Sequence, residues 1–151
     1  LIAYFSASGV TARAAKELAQ TLDADLYEIR PETPYTAADL DWTNKKSRST
    51  VEMNDPACRP AIAEPVKNMA QYDAVFVGFP VWWYVEPRIV DTFLESYDFS
   101  GKTLIPFATS GGSGIAKAEK SLREHCPNAD LKKGELVNSG AAEWAKRALN
   151  A

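Results

Sequence analysis

The run Ala74-Val75-Phe76-Val77-Gly78-Phe79 is apolar at every position. A strand with one wet face alternates polar and apolar residues, so an unbroken run predicts a central strand covered by helices on both faces. Pro80 ends it. The remaining signals alternate as such a sheet requires. Strands are expected over Leu1 to Phe5, over Leu26 to Ile29 with Pro31 and Pro34 closing it, over Thr103 to Ala108, and near Lys132 to Val137. Between them come helical segments. The first carries Val10, Ala14, Leu18 and Leu22 at four-residue steps, and a second is expected from Ala61 to Ala70. A third starts at Pro87 with Ile89, Val90, Phe93, Leu94 and Tyr97 as its apolar face; the others run from Ile115 to His125 and from Ala141 to Leu149. Alternation of this kind predicts an α/β fold with a parallel sheet and right-handed crossovers.

The first strand runs directly into Ser6-Ala7-Ser8-Gly9-Val10-Thr11, where the first helix opens. Exposed amides at a helix N-terminus, the positive end of the helix dipole and short hydroxyl side chains together suit a phosphate. Plain N-capping is the alternative reading. No lysine and hydroxyl pair follows Gly9, which excludes a P-loop, and a single glycine excludes the dinucleotide fingerprint. A mononucleotide phosphate is the better match.

Ligands of open parallel sheets gather beyond the carboxyl ends of the strands, where strand order reverses. Three loops should meet there: 6–11, 80–86 and 109–114. The second, Pro80-Val81-Trp82-Trp83-Tyr84, offers adjacent aromatic rings on which a flat ring system could stack. Trp82 and Trp83 cannot both face inward along an extended loop, so at least one is expected to be exposed or to cover something. The third, Thr109-Ser110-Gly111-Gly112-Ser113-Gly114, offers open backbone amides. Phosphate socket, aromatic platform and amide donors together describe a flavin mononucleotide (FMN) site.

Composition narrows the alternatives. With 151 residues, 46% of them hydrophobic and 25% charged, the chain has the size of one domain with one substantial core. There are 17 basic and 20 acidic residues for a net charge of -3, and the longest basic stretch is Lys45-Lys46 with Arg48 nearby, which gives nucleic-acid binding no support. No apolar stretch approaches a membrane span. The chain is read as cytoplasmic, with any signal peptide lying upstream of Leu1. Cys58 and Cys126 form no metal or dithiol pattern and read as ordinary thiols, and the single histidine, His125, reads as structural in the last turn of a helix. No G-x-S-x-G turn is present, so a Ser-His-Asp hydrolase is not indicated by Ser113. No catalytic or metal-ligating side chain is assigned.

On these motifs the whole chain resembles the flavodoxin family, within it a bacterial branch sharing Pro-x-Trp-Trp and Thr-Ser-Gly-Gly-Ser-Gly stretches. The resemblance implies a three-layer α/β/α sandwich, a five-stranded parallel sheet of order 2-1-3-4-5 in a short form without the insertion that splits the last strand, and noncovalent FMN. It places the phosphate on Ser6, Ser8, Gly9, Val10 and Thr11. The ring system would lie beside Trp82 or Trp83 in the loop Pro80, Val81, Trp82, Trp83 and Tyr84, and against Thr109, Ser110, Gly111, Gly112 and Ser113. The implied function is electron transfer to a redox partner protein or a small quinone-like acceptor; the alternatives are NAD(P)H-dependent quinone reduction and, more distantly, a flavin-free interaction module.

Three departures from electron-carrying relatives bear on that choice. The loop after the fourth strand has no aromatic, which would leave one flavin face open. Trp83-Tyr84-Val85 contains no glycine, so positive backbone angles there would be costly and stabilisation of a half-reduced flavin is expected to be weak. The net charge of -3 would steer partners only mildly. Glu86 reads as a solvated charge ahead of Pro87; turned inward, it would disfavour an anionic reduced flavin. The excursion from Pro31 to Pro60 is read as a lid or docking flap, with Trp42 expected over the aromatic loop.

Overall fold

The computed structural model describes residues 1–110, 114–137 and 140–148. Its elements are β1 (Ile2–Tyr4), α1 (Val10–Leu22), β2 (Leu26–Glu28), α2 (Arg48–Met53), β3 (Ala74–Pro80), α3 (Arg88–Glu95), β4 (Thr103–Thr109), α4 (Ala116–His125), β5 (Asp130–Leu131), β6 (Glu135–Leu136) and α5 (Ala141–Ala148). The sheet runs β2-β1-β3-β4-β5, with β6 also on β4, and every pairing is parallel. This is the expected α/β sandwich.

Strand alternation divides the core in two. Ala3, Phe5, Val75, Val77, Phe79, Leu104 and Ala108 face α3 and α4, where they meet Ile89, Val90, Phe93, Leu94, Ala118 and Leu122. Ile2, Tyr4, Phe76, Ile105 and Phe107 face α1 and α5, where they meet Ala14, Leu18, Ala141, Trp144 and Ala145. Both faces of β3 are therefore dry, which is why its sequence lacks alternation. On α1 the buried positions are Thr11, Ala14, Ala15 and Leu18. The apolar stripe thus starts one residue later than the four-residue pattern suggests, and Val10 is left 44% exposed.

Two segments depart from expectation. No helix forms over 61–70; only a 3-10 turn occurs, at Met69–Gln71. Pro65 lies inside the segment and cannot donate into a helical ladder. The chain instead pairs antiparallel with the exit of β2, Glu32 N–H bonding Ala61 O at 2.9 Å and Ala63 N–H bonding Arg30 O at 2.8 Å. The expected fifth strand is split into β5 and β6. Asp130, Lys132 and Val137 N–H donate to Lys102, Leu104 and Ala108 carbonyls on the open edge of β4, so the residue of β4 facing the break is Pro106. Pro106 has no N–H to offer there, and the ladder lapses between its neighbours. Gly134 fills the gap: a Cβ on it would lie 2.4 Å from the Pro106 carbonyl oxygen.

Candidate functional site

The three loops do meet, and Thr109 is the junction. Its hydroxyl lies 2.7 Å from that of Thr11 in a buried pair, which ties the end of β4 to the first turn of α1. Its carbonyl accepts the Val81 N–H at 2.9 Å, which ties β4 to the aromatic loop. Thr11 and Thr109 are thus placed inside, 2% and 4% exposed, whereas Ser8, Gly9 and Val10 lie on the surface.

At the start of α1 the chain turns through Gly9 at φ 92°, a conformation that favours glycine. Ser6 Oγ accepts the Gly9 N–H at 3.1 Å and so braces the turn. No side chain caps the helix and its first turn carries no acidic residue. The positive end of the α1 dipole is left facing outward beside the Ser8 hydroxyl.

The aromatic loop is a hairpin. Trp82 and Val85 exchange both backbone hydrogen bonds, at 2.9 and 3.1 Å. The two residues between them, Trp83 and Tyr84, take φ of 48° and 72°. A two-residue turn with both central angles positive matches the twist of the flanking strands and usually uses Asn-Gly. Here two aromatics occupy it, at a strain of about 1–3 kcal/mol each. Positive φ is thus adopted at both positions in spite of its cost. The turn carries both side chains outward, 42% and 55% exposed. Lys117 Nζ lies 4.7 Å from the Tyr84 ring centre.

Trp82 takes the inward role. It meets Phe5 edge-on at 5.7 Å and Tyr35 at 5.6 Å between ring centres. Tyr35, not Trp42, is the residue of the 31–60 excursion that reaches this loop, and Trp42 is 72% exposed. The Tyr35 hydroxyl donates to Glu52 and the Arg48 guanidinium stacks 3.9 Å over its ring. Burial and the Glu52 carboxylate push the Tyr35 phenol far above its ordinary value. Arg88 pins α2 beneath, bonding the Glu52 and Met53 carbonyls at 3.3 and 2.8 Å.

Glu86, read from sequence as a solvated charge, is fully buried. Ser121 Oγ donates to its Oε1, and Asp91, equally buried, lies beside it. Burial first, then the Asp91 charge, raise the Glu86 carboxyl to about 8. Asp91 is itself raised by burial. A signal for this cluster was present: Asp91 sits within the apolar set Ile89, Val90, Phe93 and Leu94 of α3, a position no solvated carboxylate occupies. His125 lies at the end of α4, its Nδ1 2.7 Å from the Ser121 carbonyl and 3.6 Å from Asp91 Oδ1.

Of the remaining expected site residues, Pro80, Val81 and Ser110 are partly buried at the strand ends, with Pro80 paired to Thr109 in the β3–β4 register. Gly111, Gly112 and Ser113 lie outside the described residues.

A family model described as Flavodoxin matches residues 1–149. The chain belongs to the flavodoxin family. Similar solved structures include a candidate flavoprotein from Bacteroides eggerthii, 50% identical, with 99% of this chain and 94% of that one aligned at a TM-score of 0.95. A candidate flavoprotein from Bacteroides uniformis is 52% identical over 100% of this chain and 97% of that one, at a TM-score of 0.93. A flavoprotein from Lactobacillus acidophilus, solved in complex with FMN, is 20% identical over 95% and 96% of the two chains with a TM-score of 0.75, a likeness of fold. A search of curated proteins gives no match. No helix among the described residues of this flavodoxin-family chain is long and apolar enough to cross a membrane.

Proposed function

We propose that this flavodoxin-family protein binds FMN noncovalently at the junction of its three loops and passes electrons through it. The observation that carries this reading is the joining of an uncapped α1 N-terminus to a strained aromatic hairpin through the single residue Thr109. The FMN complex of the Lactobacillus acidophilus structure, which shares the fold, supports the choice of flavin.

The residues fit the group. Gly9 has open space where a Cβ would stand, and Ser8 and the first amides of α1 would hold the phosphate dianion. Ser6 acts through Gly9, since its Oγ holds the turn. Trp83 and Tyr84 would supply flat apolar surface to the ring system, while Trp82 supports the hairpin from behind through Phe5 and Tyr35. Bound FMN would supply the one- and two-electron chemistry that side chains lack. The protein binds it, orients it and sets the polarity around it.

A carrier is the leading function. The positive φ at Trp83 and Tyr84 favours it, because the hairpin already tolerates backbone geometry that glycine-free loops normally avoid. Two-electron reduction of a quinone by NAD(P)H is the second reading, favoured by the absence of an aromatic from 109–114. The acceptor is then either a redox protein or a small quinone.

Anaerobic reduction of the FMN-loaded, desalted protein tests these readings. Retained flavin with a long-wavelength band midway through reduction is the expected outcome and supports the carrier. Direct bleaching, with rapid NADH- or NADPH-dependent quinone turnover, would move the assignment to the reductase. Failure to retain FMN would overturn both.

A further inference from the structure

Glu86 and Asp91 are both fully buried, and three of their four carboxyl oxygens, Glu86 Oε2 and both Asp91 oxygens, have no hydrogen-bond donor if both groups are ionised. Two buried anions side by side would repel strongly in a low dielectric, and orphaned buried acceptors are costly. Some positive species must lie between them. Glu86, Asp91 and His125 each bring a ligand atom within 4.8 Å of the others, so a metal ion and a proton are the two candidates.

The surroundings favour the proton. His125 Nδ1, the ring nitrogen near Asp91, is turned to the Ser121 carbonyl at 2.7 Å and must donate there, so its lone pair is not available to a metal. Arg88 Nη1 stands 3.8 Å from Asp91 Oδ2, and Arg59 adds its charge from the flap side, where it grips Glu95 with two hydrogen bonds of 2.9 Å. A divalent cation would face both guanidinium groups. A single proton joins Glu86 Oε2 to one Asp91 oxygen as an O–H···O pair, and the remaining Asp91 charge faces Arg88 and His125 at 3.8 and 3.6 Å.

The cations also decide which carboxyl holds the proton. Asp91 faces His125, Arg59 and Arg88, all of which favour its charged form, whereas Glu86 faces Asp91 and the Ser121 hydroxyl. The nearby Cys126 thiol, raised by burial and by the Asp91 and Glu95 charges, stays neutral. We infer that Glu86 is a positioning residue for the aromatic hairpin and acts as a neutral carboxylic acid, donating its proton to Asp91 while accepting from Ser121. It follows Val85 directly, so the hairpin that presents Trp83 and Tyr84 is clamped at its base to α3 and α4.

Ionisation would put a second negative charge beside Asp91 in the core, and Glu86 would have to leave. Its carboxyl is raised from 4.5 to about 8. A raised carboxyl contributes stability that is complete below its ordinary value and is lost as pH rises through the folded one. The hairpin should therefore loosen progressively as pH rises from about 4.5 to 8. This inference rests on the proposed flavin site only for its effect on FMN, so the first readouts use the apoprotein.

The infrared carbonyl band of a protonated side-chain carboxylic acid should be present in the wild-type apoprotein at pH 7, fade with an apparent midpoint near 8 and be missing from Glu86→Gln. Between about pH 4.5 and 8 the amide of Val85 should lose protection by up to about tenfold per pH unit and level off above that, while Glu86→Gln shows no such pH dependence. FMN affinity should follow the same two profiles. A Glu86→Gln protein with the wild-type pH profile would overturn the inference, as would absence of the carbonyl band or stoichiometric binding of Zn²⁺ by the wild type. Loss of protection without any FMN binding at any pH would leave the clamp standing and remove the flavin site instead.

Discussion

At the residue scale the site hangs on a few polar groups that look unremarkable in the sequence. Thr109 contributes a hydroxyl to Thr11 and a carbonyl to Val81, so one side chain and one peptide join three loops. Thr109→Val keeps the shape and removes the hydroxyl, leaving the Thr11 hydroxyl in a dry environment. The expected cost is about 1–3 kcal/mol of stability, read as a lower urea midpoint at unchanged slope. A larger change in FMN affinity than in stability would show that the pair also aligns the α1 amides. The reading of Ser6, Gly9 and the hairpin aromatics came from residue type and order. What residue type could not reveal was direction: Glu86 before Pro87 looks like a surface charge until α4 is packed over it.

At the element scale, local chemistry accounts for most of the observed boundaries. Pro87 stands ahead of α3, Gly9 turns the chain into α1, and the unalternating β3 lies at the centre of the sheet. Two departures from the expected elements share one cause, a proline that cannot donate a hydrogen bond. Pro65 prevents the helix expected over 61–70, and Pro106 splits the last strand although it lies in another one. The second effect acts across the sheet and could be found only by knowing which strand is the neighbour. Gly134 is the matching adaptation. Gly134→Ala would force its Cβ against the Pro106 carbonyl, 2.4 Å away, and should destabilise by about 1–3 kcal/mol, seen as a lower thermal midpoint. An unchanged midpoint would mean that the β5–β6 edge shifts freely.

At the scale of the whole molecule, the two core clusters lie on opposite faces of one sheet and share its strands. Neither can lose its packing while the other keeps the sheet. Unfolding should accordingly be a single transition, with far-ultraviolet circular dichroism and tryptophan fluorescence giving coincident curves. Separate midpoints would argue that the 31–60 excursion or the α1–α5 layer melts alone. The excursion is not an independent flap: Arg88 holds the Glu52 and Met53 carbonyls, Arg59 grips Glu95, and Tyr35 lies against Trp82.

The amino-acid sequence by itself determined the fold class and the three segments that converge at one end of the sheet. Those depend on apolar periodicity, turn residues and helix-start chemistry, which act between near neighbours and so are visible along a single chain. Only the tertiary structure decided that Tyr35 and not Trp42 reaches the aromatic loop, that Trp83 and Tyr84 accept positive φ, and that Glu86 lies beside Asp91 in the core. These outcomes depend on which distant groups are brought together and how much water is excluded between them. Burial sets the cost of strain and charge, and burial is a property of the packed molecule rather than of any segment.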